Sequence, residues 1–301
     1  MGKKSLKSLI IGAATGYNYN QLKPWIESIN ECGFEGDKVL VLGEASEETR
    51  QKILGQGFTI VEMIKVDAPI HVARFLSIYD YLIETWMFYD YVITTDVKDV
   101  YFQTNPVKWL DDNIKDPSVP HRRPTYCYDI IAASESIRYK DESWGDQNLM
   151  ETYGPYVYEL CKDNIIYNVG TIGGTSEYVK DLMFNIFTNA VNRPIPIVDQ
   201  AVFNVLIQTE PYLSKTFFAD EKDGWACQAG TTADPSKIER FRPFLTEDEP
   251  TFEDGVVKNS LGEPFCIVHQ YDRVPEWKKF VEQKYNQYDE TEYFTINTQG
   301  K

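Results

Sequence analysis

The sequence predicts an α/β fold built on a Rossmann-like central sheet flanked by helices. Two observations predict it. Short apolar runs alternate with segments of helical spacing through about residue 100, the pattern of a doubly wound sheet. One of these runs, Tyr91-Val92-Ile93-Thr94-Thr95, ends on Asp96, and Asp99 follows three residues later. Charge is costly inside a sheet, so acids directly after a buried-looking strand belong at its carboxyl end. That edge is where open α/β sheets bind ligands.

The elements follow in order. Residues 8–13 form an apolar run closed by Gly12 and Gly16, read as a first strand and its turn. Residues 21–32 place Leu22, Trp25, Ile26 and Ile29 on one helical face, with Gly33 as the stop. Residues 38–42 read as a second strand. Residues 46–56 read as a helix that Ser46 caps, with Glu48 in its first turn. A third strand is expected at 58–64. The amphipathic stretch 73–88, with Phe75, Ile78, Leu82 and Trp86 along one stripe, delivers the chain into the strand that ends at Asp96.

After Pro106 the alternation loosens. Residues 111–124 read as a polar connection, 130–134 as a strand, and 145–153 and 155–162 as helices. A strand is expected at 165–173, ending in glycines, followed by a helix at 176–190 and another at 198–208. Residues 221–250 look loop-rich and acidic, 265–269 form a late strand, and 275–285 a terminal helix. We expect one domain over 1–301, in two halves (1–103 and 104–285) with a polar tail (286–301).

Composition bounds the function. The 301 residues are 43% hydrophobic and 14% aromatic, enough for a substantial core. A formal charge of −16 excludes a nucleic-acid binder, which needs clustered Lys and Arg, and disfavours an anionic membrane surface. Five scattered cysteines form no CxxC pair and no zinc-ligand spacing, which fits a reducing compartment. The apolar stretch after the basic start is too short for a signal peptide, and no run approaches the roughly 20 apolar residues of a membrane span. A cytoplasmic protein without a membrane span is therefore expected.

Two carboxylates at one strand end can hold Mg²⁺ or Mn²⁺, and a cation there can hold a diphosphate. The same two acids also have a bland reading, one as a turn cap and the other solvated. At this point a family resemblance enters. Arg74-Phe75, the run from Tyr91 through Asp96-Val97-Lys98-Asp99 to Val100-Tyr101-Phe102, and Asn105-Pro106 resemble the DxD region of GT-A fold glycosyltransferases. The layout is similar to the glycogenin-like enzymes (glycosyltransferase family 8) and their relatives, and implies a GT-A type mixed central sheet. Those enzymes have one residue between the acids, whereas Val97 and Lys98 both intervene here. Asp99 aligns with the second acid and is assigned to the metal. Asp96 either shares the ion or contacts the donor nucleotide.

The resemblance implies a nucleotide-sugar-binding half over 1–103, an acceptor-binding half over 104–285, and further roles. Tyr167-Asn168-Val169-Gly170 looks like the family's Asn-Ala-Gly strand, so Asn168 is implied in positioning the sugar and Gly170 in approaching the donor. Val198-Asp199-Gln200 is similar to the Asp-Gln element near the transferred sugar, which makes Asp199 and Gln200 catalytic candidates. His269 resembles the third metal ligand, and two carboxylates with an imidazole suit Mn²⁺ better than Mg²⁺. The Gly and Lys-Pro-Trp that often follow that histidine are missing, and Arg273 is the candidate to replace their basic phosphate contact. Arg74 is implied in touching the donor. Thr15 and Tyr17 follow the first strand, where such enzymes hold the nucleotide, and Trp144 and Asp146 are acceptor candidates. Several of these have structural readings of equal standing: Asp199 as a helix cap, His269 as a core residue, Trp144 as a buried helix start.

The function expected is metal-dependent transfer of a sugar from a UDP- or GDP-sugar to the hydroxyl of a carbohydrate or glycoconjugate. The resemblance implies retention of anomeric configuration. If Asp199 or Asp146 acts as a base on the acceptor, inversion is expected instead. Two alternatives stand. A sugar nucleotidyltransferase would need a basic Gly-rich loop after strand one, and residues 12–18 contain no Lys or Arg. A catalytically silent carbohydrate- or nucleotide-binding scaffold draws support from the wider spacing of Asp96 and Asp99.

Overall fold

The computed structural model describes residues 7–114 and 128–285. Most of the connection expected at 111–124 and the tail from 286 lie outside the described residues. The amino-terminal half runs β1 (Lys7–Ala14), α1 (Tyr19–Glu31), β2 (Asp37–Leu42), α2 (Glu47–Gly55), β3 (Thr59–Glu62), α3 (Ile70–Thr85), β4 (Tyr89–Thr95), β5 (Val100–Phe102) and α4 (Pro106–Asn113). It continues with β6 (Ile130–Arg138), α5 (Ser143–Cys161), β7 (Ile165–Thr175), α6 (Ser176–Ala190), α7 (Asp199–Ile207) and β8 (Thr216–Ala219). The last part holds β9 (Ala226–Gln228), α8 (Ala229–Thr232), α9 (Ile238–Phe241), β10 (Thr251–Glu253), β11 (Val256–Lys258), β12 (Ile267–His269) and α10 (Pro275–Tyr285).

Seven strands form the main sheet in the order β3-β2-β1-β4-β7-β6-β8. Strands β3, β2, β1 and β4 are mutually parallel, while β7 runs antiparallel to both of its neighbours, so the sheet is mixed. Alternate residues of each strand feed opposite faces, as the two-residue period of a strand requires. Ile10, Leu40, Leu42 and Ile93 pack with Leu22, Trp25, Ile26 and Ile29 of α1 on one side. Leu9, Ile11, Val39, Val41 and Val92 pack with Phe75, Leu82, Leu182 and Val202 of α3, α6 and α7 on the other. Each such buried side chain contributes about 1.5–3 kcal/mol. The Trp25 indole also donates to Thr95 Oγ1 at 2.8 Å, tying α1 to the last residue of β4.

A three-stranded sheet, β5-β12-β9, sits against the carboxyl end of β4. Strand β12 lies in its middle, antiparallel to β5 and parallel to β9. Residues 221–250, loop-rich by sequence, contain β9, α8 and α9. They are three or four residues long, too short to show a period. The helix α4 was also not anticipated: Asn105 caps it by accepting from Val107 N–H at 3.0 Å, and Pro106 opens it. The two helices expected at 145–153 and 155–162 are present within α5, separated at Gly154, where φ is +75°. The four described cysteines are free thiols. Among the described residues, no helix is long and apolar enough to cross a membrane.

Candidate active site

The two acids leave β4 on a turn that explains their spacing. Val97 is buried and packs against the backbone of Gly12, where a Cβ would lie 2.5 Å from Val97 Cγ2. Lys98 points outward and is exposed. With one intervening residue anchored inward and the other outward, Asp96 and Asp99 come back to the same side. Asp96 N–H also donates to Gly170 O at 2.9 Å, which seats it at the edge of the main sheet.

The small sheet brings the third member. His269 ends β12, pairs with Val100 on one side and with Gln228 on the other. Asp99 directly precedes Val100, so strand pairing sets it beside the imidazole. His269 Nε2 lies 3.4 Å from Asp96 Oδ2 and 3.7 Å from Asp99 Oδ1. One ligand atom from each of the three residues falls within 4.8 Å of the others. On the far side of the ring, Nδ1–H donates to Gln228 Oε1 at 2.8 Å, and Gln228 Nε2 donates to Thr171 Oγ1 at 2.8 Å. This chain fixes the tautomer and leaves the Nε2 lone pair facing the two carboxylates, the arrangement of a metal-binding histidine with its outer partner. Burial holds the imidazole below its usual pKa, in the neutral form a cation needs.

Asp96 and His269 open onto a cleft of about 300 Å³ that Arg74, Glu135, Asn168, Asp199 and Gln200 also line, with Asp99 behind them and outside its lining. Arg74, on α3, makes ion pairs with both Asp96 and Asp199, the latter at 3.0 Å. Its Nε is buried without a hydrogen-bond partner among the described residues. Asn168 Oδ1 accepts from Gly170 N–H at 2.7 Å.

Glu135 is one residue the sequence does not announce. It is buried on β6, where the pairing with β7 is irregular and the next residue, Ser136, has φ +60°. Glu135 Oε1 accepts from Asn168 Nδ2 at 2.7 Å and from Gln200 Nε2 at 3.0 Å, and Oε2 accepts from Thr231 Oγ1 at 3.0 Å. Burial raises its pKa, and these donors pull it back; burial is the larger effect. One buried carboxyl group thus holds the side-chain amides of both Asn168 and Gln200. Its only sequence signal is an acid shortly after the apolar run Ile130-Ile131-Ala132-Ala133.

The other expected residues are distributed more widely. Trp144 lines the cleft at its mouth, 49% exposed. Asp146 does not line it, and accepts instead from Tyr158 OH at 2.6 Å. Thr15 and Tyr17 lie past the carboxyl end of β1, the neighbour of β4, with Thr15 Oγ1 accepting from Glu44 N–H at 3.0 Å. Arg273 is outside the cleft lining, its Nε 3.6 Å from Asp272 Oδ1.

No family model matches the sequence, and no curated protein sequence matches it. Solved structures do. The bifunctional glycosyltransferase WbbM, in its apo form, superposes with a TM-score of 0.55 at 12% identity, over 98% of this chain and 52% of that one. This chain therefore spans about half the length of that protein. The galactosyltransferase LgtC, solved with donor and acceptor sugar analogues, gives a TM-score of 0.50 at 11% identity over 91% of this chain and 95% of that one. The fold is of the GT-A type. At such identities the likeness speaks for the fold, and the chemistry rests on the cleft itself.

Proposed function

We propose that this protein is a metal-dependent glycosyltransferase that moves a sugar from a nucleotide-diphosphate donor to a hydroxyl acceptor. The observation that carries the reading is the convergence of Asp96, Asp99 and the neutral His269 at one end of a cleft whose floor holds Arg74, Asn168, Asp199 and Gln200. The donor set fits Mn²⁺ or Mg²⁺, with the imidazole favouring Mn²⁺. A divalent cation there would neutralise charge gathering on the departing diphosphate, the main electrostatic demand of the reaction.

The chain's own groups supply the positioning. Arg74 clamps Asp96 and Asp199 in fixed orientations, and Glu135 holds the Asn168 and Gln200 amides. The Gln200 oxygen is left to face the sugar. The two carboxylates considered as acceptor bases are engaged elsewhere: Asp199 with Arg74, Asp146 with Tyr158. That supports retention, with the leaving diphosphate taking the acceptor proton. The wide Asp96–Asp99 spacing does not favour a silent scaffold, because the Val97 turn returns both acids to His269.

Calorimetric titration of UDP and GDP, with and without Mn²⁺, tests this on the wild type and on Asp99→Ala. Mn²⁺-dependent binding of one nucleotide, weakened at least about tenfold in the variant, is expected. Binding of neither nucleotide under any metal condition would sink the donor assignment.

A further inference from the structure

Gln270 directly follows His269 and adopts φ +59°, ψ +31°, the left-handed region that suits glycine. A non-glycine residue held there is a feature to be explained, and such strain gathers at ligand sites. The surroundings are shaped for its side chain. Gly230 passes so close that a Cβ on it would lie 2.1 Å from Gln270 Oε1 and 2.7 Å from Cδ. Gly230 N–H donates to Oε1 at 3.1 Å, which fixes the amide's orientation. The oxygen is thereby committed. Among the described residues the Nε2 group has no partner, and the side chain lines the cleft beside Asp96 and His269.

With the oxygen turned to Gly230, the group facing the cleft is an amide NH₂, which can only donate. It therefore fits an oxygen that only accepts, and unesterified phosphate oxygens carry lone pairs and no proton. Its place in the sequence, next to a candidate metal ligand, sets it beside the diphosphate that such a metal would hold. Arg273, the basic residue nearest in sequence, is outside the cleft lining and turned toward Asp272. We propose that the Gln270 side-chain amide binds the diphosphate of the donor, a neutral contact where a basic one was expected. This rests on the donor-binding reading given above.

The test uses Gln270→Gly, which removes the amide while relieving the left-handed backbone. Gly230→Ala is its companion, because the added Cβ drives the amide from its seat and leaves Gln270 in place. Calorimetry in Mn²⁺ measures whichever of UDP or GDP the wild type binds, the matching nucleoside, and inorganic diphosphate as a competitor. Loss of about tenfold in affinity for both diphosphates in both variants, with nucleoside affinity within about twofold, is expected for one charge-assisted hydrogen bond. Unchanged diphosphate affinity in Gln270→Gly, in a protein whose wild type binds the nucleotide, overturns this assignment alone. A wild type that binds neither nucleotide overturns the donor reading and this contact together.

Discussion

Replacing Gly170 by alanine asks how tightly the β7 backbone passes the candidate metal ligands. Gly170 lies within an extended strand, so alanine meets no backbone strain and the perturbation is steric. The new Cβ would lie 2.9 Å from each of Asp96 Oδ2, Asn168 Oδ1 and His269 Cε1. Ordinary contact begins near 3.4 Å, so each neighbour must retreat by about 0.5 Å (3.4 minus 2.9). Ligand distances in a metal site tolerate only about 0.2 Å, so two of the three ligands are displaced by more than twice that allowance. Overpacking of this kind costs about 1–3 kcal/mol of stability, and Mn²⁺ affinity is expected to fall roughly 10–100-fold, as for other disturbances of ligand orientation. Free Mn²⁺ followed by electron paramagnetic resonance during a titration reads the affinity, and circular dichroism confirms the fold. A Gly170→Ala protein that binds Mn²⁺ as tightly as wild type would refute the placement of the ion among these residues.

Two further outcomes are expected. Gln228→Leu removes the acceptor for His269 Nδ1–H while keeping side-chain bulk, so Mn²⁺ affinity should drop about 10–100-fold with the fold retained; the same titration checks it, and no change would show that the ring needs no outer partner. Glu135→Gln keeps an oxygen for Asn168 and Gln200 and offers Thr231 an amide. The Glu135 pKa is raised in the folded state, so its contribution to stability is fully present below the ordinary value of 4.5 and is lost as pH rises through the folded value. The variant should therefore lose less stability than wild type as pH climbs above 4.5, measured by denaturant unfolding across pH; parallel curves would contradict the burial effect.

Much of the nucleotide-side half was legible because its signals are local. The stripe of Leu22, Trp25, Ile26 and Ile29 and the run ending at Asp96 carry their periodicity within a dozen residues, and α1 and β4 form there. Ser46 does cap α2, accepting from Thr49 N–H at 3.1 Å. The candidate site was legible from position for Asp96 and Asp99, which follow a strand, whereas Arg74, Asn168, Asp199, Gln200 and His269 came from the family resemblance. Glu135, Gln228 and Gln270 were not found. Each acts through pairings between residues 33 to 96 apart in the chain, such as Glu135 with Asn168 and Thr231 or Gln228 with Thr171, and no local pattern announces these. The helix α3 begins at Ile70 rather than near residue 73, which puts Arg74 one turn inside it and in reach of both Asp96 and Asp199.

The strand order of the small sheet has a consequence for how the protein comes into being. Its central strand, β12, is the last of the three in the chain, so β5 and β9 gain a common neighbour only after residues 267–269 have been made. Until then Asp99 has no imidazole beside it and Gln228 has nothing to hold. A partly synthesised or proteolytically shortened chain ending before residue 267 would retain most of the main sheet and its hydrophobic faces, yet lack a complete cation cluster. The candidate site therefore depends on a three-residue strand near the end of the described chain, far in sequence from the acids it completes.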